Sequence, residues 1–131
     1  MSHFEFQVIK PSGAPEAIGP YSQAIVAGNM VFCAGQIPLH PQTRELINTD
    51  IDAATRQVLC NVKGVLSAAG CSLSDVVKAT VFMVDLKEFA GMNAVYSEFF
   101  GSHRPARSTV QVAALPAGAH VEIEVIAIKR S

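Results

Sequence analysis

Apolar and polar residues alternate from the start of the chain. Phe4, Phe6 and Val8 occupy every second position, which predicts a short first strand. Pro11 to Pro20 is rich in Pro, Gly and Ala and predicts an ordered loop. Ala24–Val26 and Met30–Ala34 are apolar runs separated by Gly28-Asn29. That pattern predicts a hairpin, because Gly and Asn tolerate the backbone of a tight turn. Gly35 to Asn48 carries Pro38 and Pro41 and reads as a loop. From Ile51 the period changes. Ile51, Ala54, Val58, Val62, Val65, Leu66 and Ala69 recur at helical spacing, which predicts a helix with one buried face. Thr49 or Asp50 can cap its first turn, and Gly70 stands where the chain must leave it.

Val76 to Val84 is rich in β-branched residues and predicts a buried strand. Asp85 then opens a second helix, with Glu88 as its capping-box partner. Leu86, Phe89, Tyr96 and Phe100 mark that helix's apolar face, and Gly101 follows it. Arg107–Ala114 and Val121–Ile128 are the last two strands, joined through Leu115-Pro116-Ala117-Gly118. The order β-β-β-α-β-α-β-β predicts one α+β domain over residues 1–131, its two helices packed on one face of a mixed sheet. The other face needs a cover, and a partner subunit is the simplest one.

Composition sharpens this picture. A chain of 131 residues fits one domain, and 50% hydrophobic against 16% charged residues can fill a core and still leave apolar surface for subunit contacts. The net charge is −1, Trp is absent and no basic stripe occurs, so no nucleic-acid partner is expected. Cys33, Cys60 and Cys71 are odd in number and lack paired spacing, which argues against a disulfide framework and for a reducing, cytoplasmic setting. They read as small apolar residues rather than nucleophiles. Met1 to Lys10 does not resemble a secretion signal, and no apolar run is long enough for a bilayer, so no membrane association is expected. His3, His40, His103 and His120 are scattered, no Cys/His pair has metal-ligand spacing and no Gly-rich phosphate loop occurs, so no metal is expected.

The residues suited to chemistry are few. Alternation places Arg107, Thr109 and Gln111 on one strand face, with Val110 and Val112 on the other. A guanidinium beside an apolar sheet can grip a carboxylate through two parallel hydrogen bonds; an ordinary solvated arginine fits the pattern as well. Glu122 and Glu124 share a face with Ile126 and Ile128. A carboxylate there can hold a water and act as general base, or simply face outward on a half-exposed strand. In a tight hairpin Glu122 would lie nearly opposite Val112, leaving Arg107 roughly 15 Å away along the strand. A small substrate could not span that distance, so the two meet only through a bulge, a different pairing, or a site built from two chains. Asn93 falls in line with Phe89, Tyr96 and Phe100, where an amide either touches a ligand or bonds to neighbouring backbone. Tyr21 follows Gly19-Pro20 on a stiff loop, positioned to line a pocket or to pack. Gly35 either lets a ligand approach its N–H or serves a turn.

Several separated segments together resemble a known family. Ile18-Gly19-Pro20-Tyr21-Ser22-Gln23-Ala24, Gly35-Gln36-Ile37-Pro38 and Asn61-Val62-Lys63 match it, as do Pro105-Ala106-Arg107-Ser108-Thr109-Val110, Ala113-Ala114-Leu115-Pro116 and Val121-Glu122-Ile123-Glu124. Spread in order from about Ala14 to Ile128, they resemble the reactive intermediate deaminase (RidA, or YjgF/YER057c/UK114) family. The resemblance implies a chorismate-mutase-like fold and a homotrimer with a central barrel and intersubunit clefts. It also implies cofactor-independent hydrolysis of 2-iminobutanoate and 2-iminopropanoate, made by pyridoxal-phosphate dehydratases, to 2-keto acids and ammonia. Arg107 is then the carboxylate-binding arginine and Glu122 the group that positions water. Tyr21 and Asn93 belong to the cleft, and Gly35 and Thr109 offer backbone groups to substrate. Ala34 stands where many members have Ser, and Thr109 where some have Cys. The alternatives on the same fold are an endoribonuclease and a non-enzymatic ligand-binding or chaperone-like protein.

Overall fold

In the computed structural model, which describes residues 5–130, strand β2 (Ala24–Ala27) turns back into β3 (Met30–Gln36) through Gly28-Asn29. Gly28 takes φ of +63°, which its missing Cβ permits at little cost. Strand β1 (Phe6–Ile9) pairs antiparallel with β2. It begins later than the alternation predicts, and Phe4 lies outside the described residues. Helix α1 (Ile51–Ala68) is capped by Asp50, whose carboxylate accepts from Ala53 N at 2.7 Å. Gly70 follows with φ of +79°, as its place in the sequence suggests. Val58, Leu59, Val62, Val65 and Leu66 are buried from this helix against β3 and the last strand. Each such side chain contributes about 1.5–3 kcal/mol when fully buried.

Strand β4 (Val76–Met83) follows, with alternate residues Ala79, Val81 and Met83 buried. The next element differs from expectation. Asp85 caps only a short 3₁₀ turn, Leu86–Glu88, by accepting from Lys87 N at 2.9 Å, and helix α2 spans Phe89–Phe100. The capping box expected between Asp85 and Glu88 is thus replaced by a tighter turn, and the reciprocal box occurs instead between Ser72 and Asp75. Strand β5 (Ala106–Gln111) is shorter than predicted. Val112 N still donates to Met83 O at 2.8 Å before the chain departs toward the Pro116–Gly118 turn and strand β6 (Val121–Ile128).

The sheet order is β1-β2-β3-β6-β4-β5. The β4-α2-β5 crossover makes β4 and β5 parallel, and the other pairs are antiparallel. The last two strands are therefore no hairpin, because β4 stands between them and pairs with both. Both helices cover the face carrying Val121, Ile123, Val125 and Ala127 of β6, all buried. The opposite face leaves Phe32 and Val110 exposed.

Candidate functional site

Strand register decides where each candidate points. Arg107 sits opposite Ala79, and Ala79 opposite Val125, both buried on the helix-covered face. Its guanidinium carbon lies 4.6 Å from the Tyr96 ring centroid and 5.5 Å from that of Phe89, both on α2. Two ring faces hold the cation by quadrupole attraction and fix its plane. Among the described residues Arg107 makes no ion pair. Thr109, on the same face of β5, has a buried hydroxyl without a partner among the described residues, and so has Tyr96. Burial raises the Tyr96 phenol's pKa, against the pull of the Arg107 and Arg104 charges. Asn93 is half-buried, four residues after Phe89 and three before Tyr96, in the helical row that faces β5. Gln111, third on that strand face, is used structurally: its Oε1 accepts from Leu86 N at 2.9 Å.

A second group forms around Glu122. This residue pairs with Phe82 and so projects from the face opposite the helices. It lines a cavity of about 430 Å³ with Tyr21, Gly35, Ile37, Leu39 and Pro116. Gly35 lies in the bulge between Cys33 and Gln36 where β3 slips against β6. A Cβ built on Gly35 would stand 2.8 Å from the Glu122 carboxyl carbon and closer still to Oε2. Glycine thus clears the space that the carboxylate occupies. Burial, and secondarily the neighbouring Glu124 charge, raises the Glu122 pKa above the ordinary carboxylate value. A carboxylate so held is a stronger base than one in water, and apolar walls beside it limit competing solvation.

Tyr21, Gly35 and Glu122 therefore meet in one cavity, while Arg107 lies against the Phe89 and Tyr96 rings of α2, with Thr109 two residues further along β5 and Asn93 between those two aromatic residues in the helix. The two groups do not meet within one chain. Arg107 and Glu122 are two strands apart and three residues out of register on β4. Strand geometry puts their Cα atoms about 14 Å apart. They also leave opposite faces of the sheet. Sequence reasoning placed Phe89 and Tyr96 on an apolar helix face without seeing that they flank the guanidinium. It also missed Ile37, Leu39 and Pro116 as cavity walls, whose only signal is their place in proline-bounded loops.

Other chemistry is limited. Burial and the nearby Cys71 push the Cys33 thiol up to about 12, and burial likewise raises Cys71, which makes both poor nucleophiles. Cys60 departs from expectation: it is exposed on α1 rather than packed inside. Among the described residues no cluster of His, Cys, Asp or Glu is arranged to hold a metal ion. No described helix is long and apolar enough to cross a membrane.

Comparison with known proteins matches residues 11–129 to the family model described as Endoribonuclease L-PSP. A RutC family protein of Pyrococcus horikoshii is 54% identical over 123 residues, covering 94% of this chain and 98% of that one. The 2-iminobutanoate/2-iminopropanoate deaminase of Escherichia coli is 48% identical over 127 residues, covering 95% and 98%. The crystal structure of E. coli TdcF with bound serine superposes with a TM-score of 0.90 at 48% identity, covering 94% and 98%.

Proposed function

Since the chain belongs to the Endoribonuclease L-PSP family, the family of the YjgF and RutC proteins, we propose that it hydrolyses imines of short 2-keto acids. The observation that carries this reading is the Arg107 guanidinium, fixed between two aromatic rings and without an ion-pair partner among the described residues. A planar cation held this way is preorganised for a small carboxylate. Binding of serine by the TdcF relative and imine hydrolysis by the E. coli deaminase are consistent with such a ligand.

In this reading the active site joins two subunits of a homotrimer with a chorismate-mutase-like fold. Three copies close their open sheet faces into a central barrel, which covers Phe32 and Val110. Each cleft then combines Arg107, Thr109 and Asn93 of one subunit with Tyr21, Gly35 and Glu122 of the next. Such an assembly accounts for two half-sites on opposite faces of one sheet. Arg107 clasps the carboxylate and orients the adjacent imine carbon, so that attack becomes a positioned, effectively unimolecular step. The backbone at Gly35 and Thr109 holds the nitrogen end. Glu122 takes a proton from water as the water oxygen bonds to the imine carbon; the C=N π pair moves to nitrogen, and Glu122 passes that proton to it, giving the carbinolamine. As the C–N bond then breaks, its electron pair leaves with nitrogen, the hydroxyl proton passes by way of Glu122 to that nitrogen, and ammonia, the 2-keto acid and the ionised carboxylate remain. No cofactor is needed for this sequence, and a cytoplasmic setting suits it.

The test couples an amino-acid dehydratase to 2-keto-acid detection, with and without this protein. Faster keto-acid release with the wild type than without protein, and little or no acceleration with Arg107→Ala, supports the reading. Equal rates in all three reactions refute it. The family model's description favours a second reading, ribonuclease activity. Against it, His103 is bound to Val76 O at 2.7 Å and His40 Nδ1 accepts from Gln42 N and Thr43 N at 3.2 Å, so both imidazoles serve the fold. Salt-sensitive binding and cleavage of single-stranded RNA would revive it.

A further inference from the structure

Helix α1 carries one side chain that its apolar period does not explain. Asn61 lies on the buried face, three residues from Val58 and four from Val65, and is 0% exposed. An amide so placed is costly unless its polar atoms are paired. They are: Nδ2 donates to Ile37 O at 3.1 Å and to Leu39 O at 2.9 Å, and Oδ1 accepts from Gln57 Nε2 at 3.0 Å. Ile37 and Leu39 form the wall of the cavity that holds Glu122. Two further amides pin the rest of its rim in the same manner. Gln23, also buried, donates to Pro15 O at 3.2 Å. Asn48 donates to Gly118 O at 3.0 Å and accepts from His120 N at 3.2 Å, holding the turn that brings Pro116 to the cavity. The rim is thus shaped by side-chain amides reaching backbone, and Asn61 is the most buried of them.

We propose that Asn61 is a positioning residue that sets which imine side chains the cavity accepts. It touches no substrate. It fixes the Ile37–Leu39 wall against α1 and hence the room beside Glu122. This inference rests on the imine-hydrolase reading above. Apolar walls discriminate by size, since a methylene gained or lost in a pocket changes selectivity by about tenfold or more. A wall released from its clamp loses that discrimination.

The test compares kcat/KM for two imines, one with a methyl and one with an isobutyl side chain, in wild type and Asn61→Leu. Leucine has similar bulk and neither donor. The ratio of the two values is independent of how much protein is folded, so a purely structural defect leaves it unchanged. The expected result is a shift in that ratio of about tenfold. Hydrogen exchange at the Leu39 and Ile47 amides, which bond to Ile37 O and Pro38 O, should also accelerate while the α1 amides stay protected. An unchanged ratio, with both rates falling together, overturns the proposal. If Asn61→Leu does not fold, Gln57→Leu, which removes the group orienting the Asn61 amide, should shift the same ratio in the same direction, and an unshifted ratio there overturns it equally. If the wild type hydrolyses neither imine, the imine-hydrolase reading fails by itself. Unchanged exchange at Leu39 and Ile47 would then separately refute the clamp.

Discussion

Replacing Arg107 by alanine separates binding chemistry from folding. The side chain is half-buried at the sheet edge and makes no ion pair among the described residues, so its loss leaves no buried carboxylate uncompensated. What the fold loses is contact with the Tyr96 and Phe89 rings, at 4.6 and 5.5 Å from their centroids. Two such contacts are worth about 1–2 kcal/mol together. The variant should stay folded and keep the wild-type assembly, with a Tm lowered by only a few degrees. What catalysis loses is larger. Two charge-assisted hydrogen bonds to a carboxylate contribute about 1.5–3 kcal/mol each. Losing both lowers kcat/KM by about 10²–10⁴-fold, since each ~1.4 kcal/mol is tenfold. Arg107→Lys keeps the charge and loses the planar fork, so it should fall between the two. The assay is keto-acid release from dehydratase-generated 2-iminobutanoate, run beside size-exclusion chromatography and thermal melting. Near wild-type kcat/KM in folded Arg107→Ala protein would refute the role assigned to the guanidinium.

Glu122→Gln should slow turnover by about 10²-fold, less than Arg107→Ala at its extreme, because water can also be activated by other routes. The acid limb of the wild-type pH–rate profile should lie above the ordinary carboxylate range, following the raised pKa of Glu122, and vanish in the variant. Stability carries the matching sign. A carboxyl whose folded pKa is raised holds its proton more tightly when folded, so stability falls as pH rises from the unfolded value through the raised one. Chemical denaturation of Glu122→Gln should show that part of the slope removed, and an unchanged slope would contradict the shift. Gly35→Ala should displace the Glu122 carboxylate, which its new Cβ would crowd, and lower kcat with little change in Tm; unaltered kcat would show that the carboxylate's position is immaterial.

The elements set by local chemistry were readable from the chain. Gly28-Asn29 between two apolar runs specified the β2–β3 hairpin, and the spacing from Ile51 to Ala69 specified α1. At Asp85 the sequence suggested a helix start, yet the aspartate's shorter reach to Lys87 N favours a 3₁₀ turn before α2 begins. Strand order was not readable. Nothing local to Arg107–Ala114 or Val121–Ile128 says that β4 enters between them, because that placement comes from the β4-α2-β5 crossover. For the same reason the residues of the site could be named singly while their division between two sheet faces could not. Asn61 was hidden in another way. Its helical position reads as core, and only the carbonyls of Ile37 and Leu39, far away in sequence, explain its polarity.

Subunit mixing tests the central claim most directly. Arg107→Ala and Glu122→Ala chains are each purified, unfolded together in equal amounts and refolded, so that the proposed trimers form as hybrids. If each cleft takes its arginine from one subunit and its glutamate from the next, about a quarter of the clefts in a random mixture contain both wild-type groups. Activity should then rise well above the mean of the two parents. Hybrids no more active than that mean would show that Arg107 and Glu122 do not act together across a subunit boundary.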